Sequence, residues 1–108
     1  MNRLVSYLHI TTASGSTPLH YAALRKDVRF IEFLLQKGVC VDVRNCFMET
    51  PLHWAVKQGH MEIVMLLLSS GAQLDALDTE SLSPRDWAID EDQPHLLPLL
   101  RRRRDPSS

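Results

Sequence analysis

One tetrapeptide occurs twice and limits the folds open to this chain. Thr17-Pro18-Leu19-His20 recurs as Thr50-Pro51-Leu52-His53, an offset of 33 residues. The same offset joins Ala22 to Ala55, Leu34-Leu35 to Leu67-Leu68, Gly38 to Gly71 and Asp42 to Asp75. A further step reaches Ser83-Pro84, Trp87, Ala88 and Leu99-Leu100, so a third copy is degenerate but in register. A supersecondary unit of this size cannot bury its apolar face alone, whereas stacked copies can, and stacking makes a solenoid.

Each copy has a physical reading. Thr17 is a helix N-cap whose hydroxyl can serve the orphan amides of the first turn. Pro18 suits the first helical position, where a missing N–H costs nothing. The pattern predicts a helix from Pro18 to about Arg25, with Ala22 and Ala23 small enough for close helix approach. Gly59 marks a sharp turn in the second copy. A second helix follows, with Val28, Ile31, Leu34 and Leu35 on one face and Met61, Val64, Leu67 and Leu68 as their counterparts. Gly38 and Gly71 read as C-terminal caps. Alternating Val39, Val41 and Val43 predict a short extended arm.

Thr-Pro-Leu-His-x-Ala at 17–22 and 50–55, Gly59-His60, and Leu-Leu-x-x-Gly at 34–38 and 67–71 resemble the motifs of the ankyrin repeat family. The resemblance covers about residues 5–100 and is strongest over 17–82. It implies an all-α solenoid of about three helix–turn–helix units linked by hairpin-like arms. The expected division is a partial N-terminal repeat or cap at 1–16 and repeats at 17–49 and 50–82. A degenerate capping repeat at 83–100 and a basic, disordered tail at 101–108 complete it. Residues 5–16 match only the arm and hairpin of a preceding unit, which leaves Leu4, Val5, Leu8 and Ile10 to cover the first full unit.

Departures from the family pattern carry expectations of their own. Lys26 replaces the inter-helix glycine and is expected in left-handed geometry. Met48 and Ser81 stand where Gly15 keeps the family's glycine. Arg85 and Asp86 replace Leu-His, as a water-facing terminal unit requires. Pro94 can open a last helix, but Pro98 must shorten or distort it.

The 108 residues make one domain, and the formal charge of −1 conceals an uneven distribution. Residues 1–74 carry 7 basic and 5 acidic groups, 75–92 carry 1 and 7, and 93–108 carry 4 and 1. Such a balance supplies no whole-protein attraction for nucleic acid or anionic membrane. Two cysteines are too few for a disulfide scaffold. The longest apolar run, Ile63 to Leu68, is far short of a membrane span, and the amino terminus reads as no secretory signal. The expectation is a cytoplasmic or nuclear protein.

No phosphate loop, nucleophile–base arrangement or metal motif is legible, so neither catalysis nor a cofactor is expected. His20 and His53 recur in fixed register, which argues for structure, and the resemblance implies that they tie neighbouring loops together. Cys40 and Cys46, even with His9, His53 or His60, fit no zinc spacing. Asp86, Asp90, Glu91 and Asp92 read as a solvated capping face, or as a surface for a basic peptide. Arg101, Arg102, Arg103 and Arg104 read either as a solubilising end or as a nuclear-import or phosphate-contacting tail.

A repeat scaffold without catalytic chemistry points to binding a protein or peptide rather than a small-molecule substrate, a membrane or nucleic acid. The resemblance implies a concave binding surface of hairpin tips and first helices. By register these are Ala13, Ser14, Ser16, Leu24 and Arg25, then Cys46, Phe47, Glu49, Lys57 and Gln58, then Thr79, Glu80, Leu82, Asp90 and Glu91. Tyr21, Trp54 and Trp87 are expected to pack between repeats. Phe47, at a hairpin position without core duty, is the expected anchor. Two alternatives are self-association through the open N-terminal face and a nuclear role for the arginine tail.

Overall fold

The computed structural model describes residues 11–101. Five α-helices follow in order: α1 (Pro18–Arg25), α2 (Val28–Gln36), α3 (Pro51–Gln58), α4 (Met61–Ser69) and α5 (Pro84–Asp90). A 3-10 turn, Pro94–Leu96, takes the place of a sixth helix. Among the described residues there is no strand, and the architecture is the all-α ankyrin solenoid.

The start of each first helix is dictated locally. Pro18, Pro51 and Pro84 occupy the first helical position, and the residue three beyond the cap accepts the cap's own N–H. Nδ1 of His20 accepts from Thr17 at 3.1 Å and Nδ1 of His53 from Thr50 at 3.1 Å. The Asp86 carboxylate accepts from Ser83 at 2.9 Å. An aspartate thus performs in the third copy the cap duty that histidine performs in the first two.

Left-handed backbone recurs on the same 33-residue beat. Lys26, Gly59 and Asp92 (φ 60, 71 and 55°) turn the chain after the first helices. Gly15, Met48 and Ser81 (φ 75, 60 and 63°) close the hairpins. Lys26 therefore adopts the geometry expected of it. At Gly59 space also matters, because a Cβ there would lie 2.6 Å from the Gln93 side-chain amide. That amide donates to the Lys57 carbonyl at 3.2 Å, as the His60 ring reaches the Leu24 carbonyl at 3.3 Å one unit earlier.

α3 packs on both α1 and α5, while α1 pairs with α2 and α3 with α4. Leu19, Ile31, Leu34, Leu52, Ile63, Leu67 and Leu96 are fully buried in one continuous core. Two expectations fail. Met61 is 41% exposed because it opens α4, and Ile63 fills the core with Val64 and Leu67 instead. The valines of residues 39–43 form a turn closed by the Val43 N–H on the Cys40 carbonyl at 3.3 Å, rather than an extended arm. Of the three valines only Val39 is buried. As expected, the prolines abbreviate the last helix, with Pro94 at its first position.

Candidate functional site

The hairpins of residues 12–16, 45–49 and 78–82 define one edge of the stack. Each is closed from first residue to last: Thr12 N–H to the Ser16 carbonyl at 3.1 Å, Asn45 to Glu49 at 3.1 Å and Asp78 to Leu82 at 3.0 Å. Their tips are joined as well. The Cys46 N–H donates to the Ser14 carbonyl at 2.8 Å, and the Thr79 N–H to the Phe47 carbonyl at 2.9 Å.

His20 and His53 join this edge to the first helices. Because Nδ1 accepts from a backbone N–H, each ring is neutral with its proton on Nε2. Nε2 of His20 then donates to the Glu49 carbonyl at 2.7 Å, and Nε2 of His53 to the Leu82 carbonyl at 3.0 Å. Burial is the largest influence on both and lowers their pKa, against the opposing pull of those carbonyls. The rings meet Trp54 and Trp87 edge-on at 5.1 and 5.0 Å, and Tyr21 meets Trp54 at 5.2 Å. The three aromatic residues in register thus pack between units.

Asn45 and Asp78, which the sequence reading passed over, organise the hairpins. Asn45 Oδ1 accepts from Phe47 and Glu49 at 2.9 and 3.0 Å, and Asp78 Oδ1 from Glu80 and Leu82 at 2.9 Å each. The second Asp78 oxygen accepts from the Trp87 indole at 2.9 Å. Burial would raise its pKa, but the Leu82 N–H, the indole and the Glu80 N–H together hold the carboxyl below its ordinary value. The signal was present in the 33-residue offset between two short, oxygen-bearing side chains able to bond their own backbone.

The expected binding residues separate by burial. Ala13, Arg25, Cys46, Phe47, Lys57, Gln58, Thr79, Glu80, Asp90 and Glu91 are exposed, and Phe47 keeps 52% of its surface. Ser14, Leu24, Glu49 and Leu82 are half-buried. Ser16 does not face a partner: it is 1% exposed, with its hydroxyl bonded to Ser14 at 2.9 Å and Asn45 at 3.2 Å. Glu49 is committed too, accepting from Asn45 and from the Trp54 indole at 2.9 Å each. A cleft of about 210 Å³ gathers Glu49, Lys57, Glu80, Leu82, Asp90 and Glu91 with Asp78 and Trp87. Leu4, Val5, Leu8, His9, Ile10 and Arg102 to Arg104 lie outside the described residues.

Cys40 and Cys46 are exposed free thiols. No group of three histidine, cysteine or acidic side chains among the described residues could hold a metal ion. No helix among them is long and apolar enough to cross a membrane.

A family model described as ankyrin repeats in three copies matches residues 1–78. This chain belongs to the ankyrin-repeat family. The match begins ahead of the first Thr-Pro and ends where Asp78 opens the last hairpin. A search of curated proteins matched nothing. Ankyrin repeats are generally protein–protein interaction modules and are typically non-catalytic. The histidine ties, capping boxes and left-handed turns of this ankyrin-repeat chain are the means by which it holds its hairpins in a row.

Proposed function

We propose that this chain is a non-catalytic interaction module that holds a segment of a partner protein along its hairpin tips and first helices. The acidic cleft carries this reading. Asp78, Glu80, Asp90 and Glu91 surround it with Lys57 as the one cation among its lining residues, and Phe47 stands exposed on the neighbouring hairpin. A segment bearing lysine or arginine beside an apolar side chain complements both features. Its work would be adaptor, inhibitor or scaffold, with no cofactor, in the cytoplasm or nucleus.

The test is affinity capture with the wild-type chain and a Phe47→Ala, Lys57→Ala double variant. Proteins held by this face should fall away from the variant, since truncating an apolar anchor costs more than about 1 kcal/mol of binding. Identical recovered sets would show that the face is not the binding surface.

A further inference from the structure

The far end of the stack has a second surface, independent of the acidic cleft. In α1 the pair Leu19 and Ala23, and in α3 the pair Leu52 and Val56, form stripes buried in the stack. Residues four apart lie on one helix face, so each pair is a single stripe. The same positions in α5 are Arg85 and Ile89. Arg85 is exposed and Ile89 is 57% exposed, and no α-helix follows α5 among the described residues. Beside this stripe opens a groove of about 1240 Å³, lined by Leu68, Ala72, Leu74, Leu99 and Leu100, with Arg85 and Arg101 also among its lining residues. It opens where Pro98 has cut short the last helix.

We infer that this end of the stack seats an amphipathic helix of another protein, one with an apolar stripe flanked by carboxylates. The occupant is helical because in the two preceding units a helix is what stacks on the corresponding first helix: α3 on α1 and α5 on α3. Its apolar stripe meets Ile89, Leu74 and Leu99. Its carboxylates meet Arg85 and Arg101, which make no ion pair among the described residues. Beyond Arg101 the chain continues into three more arginines, whereas Asp75 is the groove's single acidic lining residue. A second copy of this chain, added as one more repeat, would need a leucine where Arg85 stands. Arg85 therefore selects against self-stacking and for an acidic helix.

Two labelled peptides of about 18 residues test this, both with leucines at helical spacing, one with glutamates and one with lysines on the polar face. Fluorescence anisotropy against the full chain should show saturable binding of the glutamate peptide only. Ile89→Asp should weaken it about tenfold or more, as loss of an apolar anchor does. Arg85→Glu with Arg101→Glu should transfer preference to the lysine peptide, while Phe47→Ala changes nothing. These residues are exposed, and matching thermal melts would show that the variants are folded. Equal binding of both peptides, no binding by either, or loss with Phe47→Ala would overturn the inference. So would a concentration-dependent dimer abolished by Ile89→Asp, which would give the seat to a second copy.

Discussion

Acid should unlock the histidine ties before it reaches any carboxylate. His20 and His53 are buried, accept a backbone N–H at Nδ1, and have lowered pKa values in the folded chain. In the unfolded chain each titrates near its ordinary value of about 6.5. Between that value and the lower folded one, the unfolded state binds more protons, so stability falls as pH falls. Each ring contributes a slope of up to about 1.4 kcal/mol per pH unit, and the two together about 2.7. Against a total stability on the order of 5–15 kcal/mol, a single pH unit inside that window removes a large share. Urea titrations followed by far-UV circular dichroism from pH 7.5 to 5 should show the midpoint falling below about pH 6.5. Asp78 cannot mimic this, because its lowered pKa places its loss of stability at pH values below the carboxylate range. The His20→Gln, His53→Gln double variant keeps an acceptor at the cap position but cannot titrate, so its midpoint should vary far less. A flat profile in the wild type, or an unchanged slope in the double variant, would refute the reasoning.

Other outcomes follow from single contacts. Asp78→Asn turns an amide N–H toward the Trp87 indole donor, so it should cost about 1–3 kcal/mol in urea unfolding. Gly59→Ala should cost more than about 1 kcal/mol, since it combines left-handed strain with a Cβ pressed on Gln93. Met48→Gly removes left-handed strain from an exposed side chain and should change stability by no more than about 1 kcal/mol in either direction, as backbone entropy offsets the relief. A larger loss would reveal a packing role for Met48.

What was legible in the sequence depended on the range of the interactions involved. Thr-Pro followed by a capping side chain is local chemistry, so α1, α3 and α5 start where the motif puts them. The left-handed turn at Lys26 was readable because the offset aligns it with Gly59. Met61 and Ile63 were harder to separate. Periodicity finds an apolar face but does not say which residue at the helix start meets the neighbouring unit. Glu49 and Ser16 looked available because hairpin residues usually face solvent. Their engagement by Asn45 and Trp54 depends on how the hairpins pack, which a pattern of spacings does not contain.

The substitution of Asp86 for histidine has a mechanical meaning. His20 and His53 each bolt one unit to the next, but a carboxylate of Asp86's length bonds its own cap and reaches no further. The bolts therefore end at the third unit. Under load, or in amide exchange at equilibrium, such a stack should open from that end first, one bolt at a time, as a row of nearest-neighbour couplings does.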